Sequence, residues 1–153
     1  MVVSLRRFKE SDEQWIRKEW RTSQEELFAT QEPWVSEMTH EYTEEVLADD
    51  LLQMSDKWKP PNVFFVAEDE RNNLLGTIGI KVAGSKPETG EICRFFVLRS
   101  KRCQGIGRKL VNHAITWAKK TSIKVLTLET TGYQVAAVNL YLSHGFELSR
   151  TRS

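Results

Sequence analysis

The chain is short of soft-metal ligands, with two cysteines and three histidines in 153 residues. Cys93 and Cys103 stand ten apart with no second pair, which excludes both the spacing of a zinc site and the density of a disulfide scaffold. No metal is expected, and the expected compartment is a reducing one, the cytoplasm. Long apolar runs are missing too. No stretch approaches the roughly 18 residues of a membrane span. The opening Met1-Val2-Val3-Ser4-Leu5-Arg6-Arg7 lacks the apolar centre of a secretory signal, so neither a membrane nor export is expected. There are no repeats and no low-complexity segments. With 40% hydrophobic and 28% charged residues, the sequence has the composition of one soluble domain, expected to run over residues 1–153.

Acid is also absent from one long segment. Between Ile92 and Leu128 there is no Asp or Glu, yet there are nine bases: Arg94, Arg99, Lys101, Arg102, Arg108, Lys109, Lys119, Lys120 and Lys124. Of the 22 bases that leaves thirteen elsewhere, against all 21 acids. The opposite bias holds between Glu10 and Asp56, where 14 acids face only Arg17, Lys18 and Arg21. That stretch is either a solvated helical surface or a field that draws in a cationic substrate.

The basic segment has a recognisable build. Ile92 to Leu98 alternates aromatic and branched residues and predicts a strand. Beyond a basic turn, Ile106, Leu110, Val111, Ala114, Ile115 and Ala118 recur at three- and four-residue steps and predict a helix. Arg108, Lys109, Asn112, Thr116, Lys119 and Lys120 take its other face, and His113 is expected there, solvated. Gly105 and Gly107 fall in the first turn, where glycine lets a ligand approach unpaired backbone N–H groups, which is an anion site in outline. Two glycines also suit a plain strand-to-helix turn. A nucleotide P-loop, Gly-x-x-x-x-Gly-Lys-Ser/Thr, and the third glycine of a dinucleotide fingerprint are both lacking.

Around this segment, Val2 to Phe8 predicts a strand, and Ser11 to Gln14 has capping-box spacing ahead of a helix carrying Trp15, Ile16 and Trp20. A helix over Thr39 to Met54 is expected after the Pro33 break. Asn62 to Glu68 and Leu74 to Val82 predict a hairpin, followed by the turn-rich Gly84 to Gly90. Ile123 to Thr130 predicts a strand, Gln134 to His144 a short helix, and Phe146 to Arg152 a last strand. Three strands on short turns give an antiparallel meander, and a strand–helix–strand crossover adds a parallel pair, so the expected class is α/β with a mixed sheet.

The run Arg102-Cys103-Gln104-Gly105-Ile106-Gly107 resembles the acyl-CoA loop of the GCN5-related N-acetyltransferase (GNAT) superfamily, Arg/Gln-x-x-Gly-x-Gly/Ala. Further on, Leu126 to Phe146, with Asn139-Leu140-Tyr141 and Gly145-Phe146, resembles the family's later strand and helix. The Leu128-Glu129-Thr130-Thr131 phrasing is most similar to the camello-like members. The order β-α-α-β-β-β-α-β-α-β is similar to the GNAT fold throughout. There are departures: Cys103 stands where the family most often has Gly, and an acidic helical stretch replaces the membrane segment of camello-like relatives. A seventh strand is missing, lost, or supplied by a second copy in a homodimer.

The resemblance implies an acetyl-CoA-dependent N-acetyltransferase acting on a primary amine of a small molecule or peptide. It implies that the backbone of Cys103, Gln104, Gly105, Ile106, Gly107 and Arg108, with Arg102 adding charge, holds the pyrophosphate. It implies that Phe95, Phe96 and Val97 pair by their backbone with the pantetheine arm, which Asn139 also meets. Glu91 would be the general base and Tyr141 the general acid; otherwise they are an exposed strand-end charge and a core tyrosine. Direct transfer leaves Cys93 and Cys103 without a part. An acyl-CoA sensor of the same fold is the alternative. A nucleic-acid partner is not expected, because the cofactor's phosphates account for the basic segment and net charge is only +1.

Overall fold

In the computed structural model, which describes residues 2–29 and 33–128, the chain order is β1 (Ser4–Arg7), α1 (Glu13–Phe28), α2 (Pro33–Ala48), α3 (Met54–Lys57), β2 (Val63–Glu68), β3 (Leu74–Val82), β4 (Thr89–Val97), α4 (Ile106–Lys119) and β5 (Val125–Leu128). The strands form one mixed sheet in the order β1-β2-β3-β4-β5. Neighbours are antiparallel through β4, and β4 pairs with β5 in parallel, Thr89 opposite Val125 to Ile92 opposite Leu128. The meander and the parallel crossover are as the short turns and the long helix dictate. The expected helix over Gln134 to His144 and strand over Phe146 to Arg152 lie outside the described residues.

Three local expectations are corrected. The first helix is entered through a 3₁₀ turn, Glu10–Asp12, and its N-cap position is Asp12 rather than Ser11, without a side-chain cap hydrogen bond. The Asp12 carboxylate instead closes the 3₁₀ turn by accepting from the Lys9 N–H at 2.7 Å. The second helix starts at Pro33, where the fixed φ suits a first helical position, and stops at Ala48 instead of running to Met54. Gln53, at φ 51, turns the chain before α3. His113 is not solvated but half-buried, its ring edge-on to Phe65 at 4.5 Å.

Both faces of the sheet are covered. Against α4 lie Val63, Phe65, Ala67, Leu75, Ile78, Ile80 and Ile92, packed on Ile106, Leu110, Val111 and Ala114. Against α1 and α2 lie Phe64, Val66 and Phe96, packed on Ile16, Trp20, Val46 and Leu47. Simple alternation along β4 would put Ile92 and Phe96 on one face, and the fold puts them on opposite faces. The reason is a bulge. Thr77 stands opposite Phe96 and Gly79 opposite Cys93, so Arg94 and Phe95 together oppose Ile78. One extra residue reverses the facing of everything after it.

Candidate functional site

Strand β4 leaves the sheet after Val97, where the Leu98 N–H still donates to the Leu75 carbonyl at 2.8 Å. A 3₁₀ turn, Arg99–Lys101, then leads to Cys103 at φ 64 and Gly105 at φ 80. A β-carbon on Gly105 would meet nothing within 4 Å, so glycine serves here for its backbone conformation and not for lack of room. Gly105 is the N-cap of α4, one residue ahead of the expected first turn, and among the described residues no side chain caps the helix. The first N–H groups of α4 are therefore without the usual side-chain acceptor. No acid sits in that first turn, and Arg102, Cys103, Gln104, Arg108 and Lys109 around it are exposed. Helix dipole, uncapped N–H groups and bases together favour a bound anion. Cys103, the departure from the family pattern, adopts the left-handed conformation that a glycine at that position would take without strain.

A shallow cleft opens beside this turn. Glu19, Thr22, Ser23 and Glu26 of α1 form one wall, and Phe96 to Leu98 with Arg99 and Arg102 the other. Trp15 stacks on Phe96 at 6.0 Å. Arg102 spans the two walls, its Nε donating to the Val97 carbonyl at 3.2 Å and its Nη2 lying 3.6 Å from Glu26. Two of the many acids of the N-terminal half thus line the cleft at the end of β4.

At the other end of β4, Glu91 is exposed and stands opposite Lys81 on β3 and Thr127 on β5. Among the described residues its carboxylate has no hydrogen-bond or ion-pair partner. Lys81 turns instead to Asp50, which also receives the Arg94 guanidinium, Nε to Oδ1 at 2.9 Å and Nη2 to Oδ2 at 2.7 Å. Asp50 is only 2% exposed. Burial pushes its carboxyl up, and the Arg94 and Lys81 hydrogen bonds outweigh that and hold it below the usual carboxylate range. A buried pair of this kind is costly to break from one side, about 3–5 kcal/mol, because the remaining charge is stranded.

The sheet, the uncapped α4 start and the basic turn between them have their counterpart in a known family: the model of the Acetyltransferase (GNAT) family matches residues 12–146. The chain belongs to this family. It is 30% identical to a probable N-acetyltransferase camello from Xenopus laevis over 112 residues, 72% of this chain and 51% of that protein. The chain thus spans about half the length of that curated relative. Its fold matches that of a GNAT-family acetyltransferase from Staphylococcus aureus, with TM-score 0.80 and 19% identity over 97% of this chain and 87% of the other. It also matches PaiA N-acetyltransferase from Thermoplasma acidophilum, solved in complex with coenzyme A, with TM-score 0.80 and 18% identity over 99% and 94%.

Within this GNAT chain, the expected cofactor residues Phe95, Phe96, Val97 and Arg102 to Arg108 are contiguous along β4, the basic turn and the start of α4. Glu91 lies at the β5-paired end of the same strand, before the bulge. Tyr141 and Asn139 lie outside the described residues. Cys93 faces the α1 side, and burial pushes its thiol up to about 12, which keeps it protonated at neutral pH and unfit as a nucleophile. No group of metal-ligating side chains and no helix long and apolar enough to cross a membrane occurs among the described residues. Sequence reasoning missed Asp50, Arg94 and the α1 wall of the cleft. A lone arginine inside an apolar strand was the available signal, since such a charge requires a buried partner.

Proposed function

We propose that this chain is an acetyl-CoA-dependent N-acetyltransferase that transfers the acetyl group directly to a primary amine of a small molecule or peptide. The observation that carries the reading is the continuity of β4, the acid-free basic turn and the α4 start with its Gly105 cap and no capping side chain. The residues present fit the cofactor: backbone N–H groups from Cys103 to Arg108 suit a pyrophosphate, with Arg102 adding charge. Peptide groups of Phe95, Phe96 and Val97 suit the amide-bearing pantetheine arm and can polarise the thioester carbonyl. Asn139 meets the same arm.

In the reaction, the new C–N bond forms as the thioester C–S bond breaks. Glu91 takes a proton from the acceptor's ammonium, directly or through water, and frees the amine to attack. Tyr141 gives its proton to the departing sulfur and is reprotonated as the nitrogen's second proton leaves. The acid-rich stretch from Glu10 to Asp56 draws a cationic acceptor toward the site.

Acetyl-CoA tests the first half of this reading without any acceptor. A ligand that binds only the native state raises stability by RT ln(1 + [L]/Kd), roughly 2.7 kcal/mol at a hundredfold excess over Kd, so melting shifts upward. Gly107→Glu places a carboxylate at the helix start and is expected to abolish that shift. A folded Gly107→Glu protein that keeps the full shift would remove the pyrophosphate assignment.

A further inference from the structure

Strand β4 contains one residue whose side chain does not favour the backbone conformation it adopts. Arg94 lies at φ 53, a region a non-glycine residue enters only when its surroundings hold it there. The consequence is large, because this residue is the bulge. With it, Cys93 packs toward α1, Phe95 and Val97 toward α4, and Phe96 toward α1 again. Without it, the strand beyond would slip by one residue, and every side chain and peptide group from Phe95 onward would turn over.

The contacts that hold Arg94 come from three other elements. On the sheet, the buried Thr77 hydroxyl donates to the Arg94 carbonyl at 2.7 Å. Just after α2, Asp50 takes the guanidinium fork through both of its oxygens. From α2 itself, the Tyr42 hydroxyl accepts from Nη1 at 3.1 Å, and from α1 the Trp20 ring lies 5.7 Å from the guanidinium carbon. Asp50 is itself fixed, since Trp58 Nε1 donates to its backbone carbonyl at 2.8 Å and Lys81 binds its carboxylate. A planar fork on a fixed carboxylate has one geometry, unlike a lysine ammonium, which can pivot.

We infer that Asp50 and Arg94 are positioning residues for acyl transfer: the pair locks the β4 bulge and thereby sets the direction in which the Phe95 to Val97 peptide groups meet the thioester arm. This rests on the transferase reading above. Neither side chain touches the reacting atoms. Their effect is felt mainly in kcat, with a smaller loss of cofactor affinity through the pantetheine arm, while the anion-binding start of α4 is unchanged.

Glycine separates this role from any other that Arg94 could have, because glycine adopts φ 53 without a clamp and alanine does not. Asp50→Asn is expected to lower kcat by about 10- to 100-fold, the scale for a misplaced reacting group. On that background Arg94→Gly is expected to recover at least about tenfold in kcat over Arg94→Ala, with an acetyl-CoA melting shift still present in both through the start of α4. Equal kcat for the glycine and alanine variants would overturn the inference, as would unchanged kcat in Asp50→Asn alone. If the alanine variant does not fold, Arg94→Lys in the otherwise native chain decides. It is expected to keep the cofactor shift and lose kcat several-fold, and full kcat there overturns the pair's role. A wild-type protein that releases no coenzyme A with any amine fails at the transferase reading itself, a result distinct from all of these.

Discussion

Replacing Gly76 with alanine adds one methyl group where β3 pairs with the end of β4. Its β-carbon would lie 2.6 Å from the Phe96 carbonyl oxygen, 3.2 Å from Leu110 Cδ1 and 3.2 Å from Val97 Cα. The leucine methyl can rotate away, but the carbonyl cannot, so relief requires β4 to move. Overpacking of this kind costs about 1–3 kcal/mol. The smaller conformational freedom of alanine in the unfolded chain offsets about 0.4–1 kcal/mol. Because the obstacle is backbone, the cost falls in the upper part of that range, and a net loss of roughly 1–2.6 kcal/mol remains, which for a chain of this size lowers Tm by about 2–10 °C. The movement falls on Phe96 and Val97, so kcat should drop further than stability alone explains. Gly84→Ala is the control: nothing lies within 4 Å of its β-carbon, and its φ is not in the left-handed region. Thermal melts of the two variants and acetyl transfer at a temperature where both are folded make the comparison. A Gly76→Ala protein that melts within about a degree of wild type would refute the close approach of β3 to β4 on which the site's geometry depends.

Glu91→Gln should lower kcat/KM for an amine of high pKa by about 10²-fold near neutral pH, and the loss should shrink as pH rises and free amine accumulates. Paired pH profiles check this, and an equal loss at every pH would make Glu91 a supporting group instead of the base. Asp50 and Asp12 are both held below the usual carboxylate range of 3.8. Burial opposes that shift in each, and the basic partners, Arg94 and Lys81 for Asp50 and Arg6 for Asp12, overcome it. A carboxyl with a depressed folded pKa binds fewer protons folded than unfolded, so its stabilisation is complete above about pH 4 and drains away as pH falls below it. Urea midpoints followed down from pH 5 should fall for wild type and fall less steeply for Asp50→Asn, and parallel acid limbs would contradict the pairing. Alkylation near neutral pH should modify the exposed Cys103 and spare Cys93, whose thiol stays protonated, and mass spectrometry of the labelled protein reads both.

Much of the architecture was legible because it depends on periodicity. The three- and four-residue steps from Ile106 to Ala118 matched the buried face of α4, and the hairpin over β2 and β3 lay where turn residues bounded two apolar runs. Boundaries resting on single residues were harder. Gln53 carries no glycine-like signal for a left-handed turn, so nothing in the sequence announced that the second helix ends before Met54. The bulge at Arg94 was invisible for a deeper reason. Its partner Asp50 lies 44 positions away, and a pattern of alternation has no term for such a distant contact. Sequence similarity picked out the contiguous run proposed as the cofactor site, from Phe95 to Arg108. The buried ion pair inferred to orient that run, Asp50 with Arg94, is one that only the folded chain brings together.

The most direct measurement mixes the wild-type protein with acetyl-CoA and a panel of primary amines, including polyamines, aminoglycosides, cysteine conjugates and lysine or N-terminal peptides. Released thiol and acetylated amine are quantified together, beside the Gly107→Glu variant. At least one cationic amine should be acetylated mole for mole with coenzyme A released, and Gly107→Glu should release none. Acetyl-CoA that stabilises the protein against heat yet yields no thiol with any amine would contradict the transferase reading and make the chain an acyl-CoA sensor.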